Sequence, residues 1–386
     1  MADAILSFLR SHEADMVDDL RALVSMDSPS TEPALVNRCI DWAAAKLGAS
    51  GAEVRRVHDD GLADRLVATW SGKGAREDRP ALILVHLDTV WPADETGRRP
   101  FRIEDGKAYG PGVFDMKGGA VQGLWALKAL RETGAWPEGL VVTMVVTADE
   151  EIGSRQSRAL IEAEARKSRL VCVLEPAEPP TGAYKTSRKG VGGFQVQIEG
   201  RAAHAGGQPE KGISAVVELA HQTLALAALN DFARGTTVNV GVVHGGSRSN
   251  VIPADASASI DLRVRTMAEA DRVVPLILGL KPVLDGARVT VTGGVNRPPM
   301  ERTPAGVALF EAAKRIAADL GFALAESASG GASDGNFTAA LGVPTIDGMG
   351  AVGDGAHALH EQLVVAEMAP RAALLARFLQ SQAGGA

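Results

Sequence analysis

The stretch that most limits how this chain can fold is Leu140-Val-Val-Thr-Met-Val-Val146, followed at once by Thr147-Ala148-Asp149-Glu150-Glu151-Ile152-Gly153. Residues 140–146 are dominated by β-branched apolar side chains, a run long enough for a buried strand and too short for most helices. Three successive acids at its end cannot enter a core, because an unpaired buried carboxylate is costly or neutralises itself through a pKa shift. They therefore project from the strand's C-terminal edge, where open α/β sheets bind ligands. An acidic turn standing alone reads most simply as a solvated loop. Here other strand ends carry comparable residues: Ala81-Leu-Ile-Leu-Val85 leads into His86-Leu-Asp88, and Leu170-Val-Cys-Val-Leu174 leads into Glu175-Pro176.

These strands alternate with amphipathic helices over residues 4–24, 33–47, 120–133 and 154–165, and Ser28-Pro-Ser-Thr31 offers a cap for the second of them. The alternation predicts an α/β fold with a mixed, mostly parallel sheet and helices on both faces. Residues 91–107 read as a polar, proline-containing excursion. After about Lys185 the order changes to strand 191–199, helix 213–228, strands 236–243 and 256–264, helix 267–279 and strand 288–292. That is the β-α-β-β-α-β order of a ferredoxin-like α+β domain. The first pattern resumes after Arg297-Pro-Pro, with a helix over 303–320, a strand over 343–346 and a helix over 364–380. A chain of 386 residues exceeds the size at which single cores stop growing. The expected division is one domain at 1–185 and 297–386, with a second domain inserted at 186–296.

A net charge of −7 with scattered Lys and Arg argues against nucleic acid as a partner. No apolar run nears the ~20 residues that span a bilayer, so no membrane partner is expected. The first 21 residues include Asp3, Glu13, Asp15, Asp18 and Asp19 and lack the basic start of a secretory signal. Cys39 and Cys172 make no disulfide framework. The expectation is a cytoplasmic protein.

A parallel sheet gathers its C-terminal edges, so His86, Asp88, Asp115, Glu150, Glu151 and Glu175 can meet there. His357 joins them from Gly353-Asp-Gly-Ala-His357-Ala-Leu-His360-Glu. Two imidazoles and several carboxylates suit a pair of divalent ions, zinc first, with cobalt or manganese also compatible. In His86-x-Asp88 the acid can hold the second ring N–H. Adjacent side chains on an extended segment point opposite ways, so one of Glu150 and Glu151 can ligate while the other acts as general base. No P-loop, nucleophile elbow or complete dinucleotide fingerprint is present.

With these motifs assembled, the sequence resembles the zinc exopeptidase family of glutamate carboxypeptidase, acetylornithine deacetylase, succinyl-diaminopimelate desuccinylase and aminoacylase. The motifs are His86-Leu-Asp88-Thr-Val, Gly110-Pro-Gly-Val-Phe-Asp115-Met-Lys-Gly-Gly, Thr147-Ala-Asp-Glu150-Glu151-Ile-Gly-Ser, Leu174-Glu175-Pro176 and Gly355-Ala-His357. The nearest likeness is to glutamate carboxypeptidase, through Arg201-Ala-Ala-His204-Ala-Gly and Ser249-Asn250-Val-Ile-Pro. The resemblance implies that Asp115 bridges two metals, that His86 and Glu175 complete one site, and that Glu151 and His357 complete the other. It further implies Glu150 as general base, Asp88 orienting His86, and a cis peptide after Asp115. It makes residues 1–185 and 297–386 the catalytic domain and the insert at 186–296 a lid or dimerisation domain that forms a homodimer, with His204 polarising the scissile carbonyl in a partner subunit. Asn250, Arg263 and Arg297 would lie near the substrate, Arg297 on its terminal carboxylate. His360, three residues after His357, is the competing ligand.

The implied activity is hydrolysis of an amide bond to release a C-terminal amino acid from a short peptide or N-acyl amino acid. An aminoacylase or N-acyl amino acid deacylase is the alternative. A non-catalytic binding protein on the same fold runs against the intact Glu150 and ligand set.

Overall fold

Two strands place the chemistry. Ala81–His86 and Val141–Thr147 are buried along their whole length and pair in parallel, which sets His86 opposite Thr147 at a shared edge. The computed structural model describes residues 3–74 and 79–383. The chain divides into two compact units, Met1–Ser187 with Arg302–Ser329 and Ser333–Ala386, and Arg188–Glu301 with Gly330–Ala332.

In the larger unit a six-stranded sheet runs in the order Glu53–Val57, Arg65–Ser71, Val141–Thr147, Ala81–His86, Leu170–Val173 and Thr345–Ile346. Arg65–Ser71 alone runs against the others, so the sheet is mixed and mostly parallel. Alternation along one strand supplies both faces. Ile83 and Val85 join the larger core, with Val121, Leu124, Leu375 and Phe378. Leu82 and Leu84 join a second core on the opposite face, with Ile161, Ala165 and Phe337. Helices thus cover both faces, and the polar strand ends are left at the edge. No described helix is long and apolar enough to cross a membrane.

Three local readings change. The helix expected over 4–24 is two, Ala4–Ser11 and Glu13–Val24, broken at His12 where φ is −114° and ψ 19°. The helix Pro33–Ala49 has Glu32 at its N-cap position and no side-chain cap. The hydroxyl of Ser30, from the expected cap sequence, instead donates to Asp88 at 2.6 Å. The polar excursion contains Arg102–Glu104 and ends at the start of Lys107–Tyr109, and these two strands form a small antiparallel sheet with Gln362–Val364 and Gly353–Asp354. Strands of two or three residues are too short to leave a periodic signal, yet this sheet carries the loop of His357.

The smaller unit is a four-stranded antiparallel sheet in the order Thr237–Gly245, Asp255–Val264, Gly190–Glu199, Arg288–Arg297. Phe194, Val196 and Ile198 alternate with exposed residues and pack with Leu219 and Leu226 of helix Ala215–Ala227 and Val273 and Ile277 of helix Met267–Leu278. The last strand runs to Arg297, and Arg188 bridges Met300, which keeps the chain up to Glu301 with this unit.

Candidate metal centre

Three neighbouring strand ends of the large unit deliver polar residues within a few positions of the last ladder pair. His86 closes its strand, Glu150 and Glu151 form a short helical turn after Thr147, and Glu175 follows Leu170–Val173. Asp115 comes from the turn Val113–Lys117, where the Asp115–Met116 peptide bond is cis. His357 comes from the loop between Gly353–Asp354 and Gln362–Val364.

These side chains meet. His86 Nε2 lies 3.3 Å from Asp115 Oδ1 and 3.5 Å from Glu175 Oε1. His357 Nε2 lies 3.2 Å from Asp115 Oδ2 and 3.2 Å from Glu151 Oε2. The two oxygens of Asp115 therefore face different imidazoles. Glu150 falls with His86 and Glu175 in a second group whose ligand atoms lie within 4.8 Å of one another. His360 makes no ion pair among the described residues.

The donor set fits divalent metal ions. Ligands ~2.1 Å from a tetrahedral ion stand roughly 3.4 Å apart, close to the separations seen. His86 Nε2, Asp115 Oδ1 and Glu151 Oε1 are buried without a hydrogen-bond partner, an arrangement that native structures rarely tolerate without an ion or water. Electrostatics agree. Burial pushes Glu151 up to about 7, and the adjacent Asp115 adds to this although His357 opposes it. Hydrogen bonds to Asp115 and Glu151 raise His357 to about 11. Burial opposes charge on His86, but Asp115, Asp88 and Glu175 outweigh it and hold the ring protonated well above its usual range. The imidazoles thus balance the carboxylates by taking protons, the positive charge that metal ions would supply.

Surrounding groups hold the ligand turns. The fully buried carboxylate of Asp88 accepts the backbone N–H of Glu150 at 3.2 Å and of Glu151 at 3.1 Å. His86 Nδ1 is nearer the backbone carbonyl of Asp88, 3.0 Å, than its carboxylate, 3.5 Å. The expected orienting contact is thus made chiefly by the main chain, while the side chain holds the glutamate turn. Sequence reasoning missed several other supports. Asp149 accepts Gln156 N at 2.9 Å and the hydroxyl of Ser157. Asp334 accepts Thr147 Oγ1 at 3.2 Å and the hydroxyl of Ser154. Glu361 accepts backbone N–H groups beside Asp115. Asp149 lies inside the acidic motif and could have been found there; Asp334 and Glu361 carry no comparable local signal.

The remaining candidates lie in the smaller unit. His204 pairs with Val251, and its Nδ1 accepts from Gly206 N at 3.1 Å and Gly207 N at 3.0 Å, which leaves the ring proton on Nε2. The Asn250 carbonyl accepts from Ala205 N at 3.0 Å. Arg263 and Arg297 stand on either side of Val191 in the ladder. Arg263 forms a two-point pair with Asp261, at 2.8 and 3.0 Å, and Arg297 is buried.

The sequence pattern of peptidase family M20/M25/M40 matches residues 82–381. Carboxypeptidase G2 of Pseudomonas sp. (strain RS-16) is 30% identical over 361 residues, covering 92% of this chain and 86% of that protein. Acetylornithine deacetylase of Myxococcus xanthus is 33% identical over 287 residues, 68% of this chain and 72% of that protein. Among solved structures, aminopeptidase PepT from Bacillus cereus has the same fold, with a TM-score of 0.79 at 24% identity, covering 95% of this chain and 98% of that one.

Proposed function

This chain belongs to peptidase family M20/M25/M40 and is a metal-dependent peptidase or amidohydrolase; from that premise we propose that it cleaves an amide bond to release a C-terminal amino acid, as a glutamate carboxypeptidase does. The observation that carries the two-metal hydrolase is the placement of Asp115, one oxygen toward His86 and the other toward His357; release of a C-terminal residue is supported by the likeness to carboxypeptidase G2. Two ions, zinc foremost, would be held by His86, Asp115 and Glu175 and by Asp115, Glu151 and His357, and when bound they polarise a carbonyl and acidify water. Glu150 takes the proton from the attacking water and delivers it to the leaving amine. Asp88 keeps Glu150 and Glu151 in place through their amides. Arg297 holds the terminal carboxylate, with Asn250 beside the substrate. Arg263, already engaged by Asp261, contributes less.

His204 of the partner subunit donates from Nε2 to the scissile carbonyl, a role supported by the acceptor state of its Nδ1. Such an arrangement needs a homodimer. Val242 and Val243 on the edge strand Thr237–Gly245, with Val216, Val217 and Leu224 on helix Ala215–Ala227, are exposed apolar residues that a second copy would cover.

The test is a panel of dipeptides and N-acyl amino acids offered to zinc-loaded protein, read as free amine. Turnover should demand a free α-carboxylate, and Arg297→Ala should raise KM about tenfold or more with a smaller change in kcat. An Arg297→Ala enzyme that demands the carboxylate as strongly as the parent would overturn the assignment. The likeness to acetylornithine deacetylase favours a second reading, an N-acyl amino acid deacylase. In that case the panel would be discriminated by the acyl group and dipeptides would be poor substrates.

A further inference from the structure

Glu361 is 1% exposed and is not used in the chemistry above. Its Oε2 accepts Gly112 N at 2.9 Å and Trp91 Nε1 at 3.0 Å, and its Oε1 accepts Phe114 N at 3.0 Å and Asp115 N at 3.1 Å. Three of these donors are main-chain amides of the turn that presents Asp115. Glu361 itself closes the loop that presents His357: its N–H bonds the Ala358 carbonyl, and the next residue, Gln362, pairs with both Asp354 and Tyr109. One carboxylate thus connects the two segments whose side chains meet at Asp115 Oδ2 and His357 Nε2, 3.2 Å apart.

The two histidines differ in their need for such a connection. His86 sits in the sheet ladder opposite Thr147, with its side chain 2% exposed. His357 lies outside any strand, has a φ of +61° and is 51% exposed. Its position relative to Asp115 depends on how the loop is tied to the turn. We propose that Glu361 is a positioning residue for the metal site formed by Asp115, Glu151 and His357, fixing the Asp115 turn against the His357 loop and so setting the affinity of that ion selectively. This rests on the two-metal reading above.

Glu361→Gln keeps the shape but turns an amide NH2 toward two of the four donors, so about half of the connection is lost. Protein stripped with a chelator is titrated with Co2+, following ligand-field absorption and bound metal per chain. The parent should take two ions. Glu361→Gln should bind the first as the parent does and the second at least about tenfold more weakly, with an altered spectrum for that ion alone. Trp91→Phe removes only the indole donor; it should weaken the second ion by a smaller factor, and it carries the test if Glu361→Gln fails to fold. Unchanged affinity for both ions in the folded variants, or an equal loss at both sites, would overturn the proposal. A parent that binds a single ion would instead remove the two-metal reading before any variant is considered.

Discussion

Glu218 and Glu269 of the smaller unit and Glu151 of the larger are buried carboxylates that behave in opposite ways. In the smaller unit Glu218 accepts Val283 N, Leu284 N and Gln222 Nε2. Burial opposes its ionisation, yet those donors hold it below the ordinary range. Glu269 is held at about 2 by Arg272 first, with Thr236 and Arg234 assisting. At the strand edge of the larger unit, Glu151 faces Asp115 and is pushed up to about 7, burial being the chief cause. The acids of the small unit are complete, each meeting a protein donor. At the edge, Asp115 and Glu151 each leave one buried oxygen without a hydrogen-bond partner and require positive charge from elsewhere. A buried acid is therefore structural or functional according to what it faces, not according to depth.

The largest effect that could break this contrast is on turnover. Glu150→Gln should lower kcat by roughly 10²–10⁴-fold with both metals still bound, checked by steady-state rates alongside metal content. Glu218→Gln, at a comparably buried acid of the other unit, should leave metal content as it was. Full turnover in metal-loaded Glu150→Gln would remove the edge from the chemistry. The next effect joins the units in a different way. If His204 serves the site of a second copy, Glu150→Gln and His204→Ala proteins should each be poorly active alone. Mixed under conditions that exchange subunits, they should recover about a quarter of parent activity, since half the dimers are mixed and each carries one intact site. No recovery in verified mixed dimers would return His204 to its own chain's site or to none.

What the sequence could disclose follows the same division. Long strands such as Val141–Thr147 declare themselves through continuous β-branched runs, and the two central strands of the insert, Gly190–Glu199 and Asp255–Val264, alternate. Candidate ligands at the ends of such strands, His86 and Glu175, are readable from position, whereas position leaves Glu150 and Glu151 open and only the family resemblance separates them. The supports are not. Ser30 reaches Asp88 across 58 positions, and Glu361 reaches Gly112 across 249. Contacts at that range leave no local periodicity. The Asp88 carboxylate shows how a motif can tell half of a role, since it stands 3.5 Å from the His86 ring as its place suggests while its oxygens also hold the amides of Glu150 and Glu151.

Smaller effects sharpen the comparison from the structural side. Glu218→Ala removes the acceptor from three donors and should cost about 1–3 kcal/mol while leaving metal content as in the parent. The units can be followed separately, because Trp42, Trp70, Trp91, Trp125 and Trp136 all lie outside Arg188–Glu301. Tryptophan fluorescence therefore reports on the larger unit, and amide hydrogen exchange over residues 190–297 on the smaller. Loss of bound metal in Glu218→Ala would show that the two kinds of buried acid are not independent.

The smallest effect is in the acid limb. A carboxyl whose folded pKa is depressed contributes stability above its unfolded value, about 4.3 for glutamate. That contribution is lost as pH falls through the folded value, here about 2 for Glu269. Glu269→Gln has no such titration. Hydrogen exchange in the smaller unit should therefore show the parent more protected by a constant margin above about pH 5, with the margin shrinking below about 4.3 and closing near the folded value. A margin that widens on acidification would mean that Glu269 is held as the neutral acid. The small unit would then share the predicament of Glu151, and the distinction between finished and unfinished carboxylates would fail at the residue where donors are most numerous.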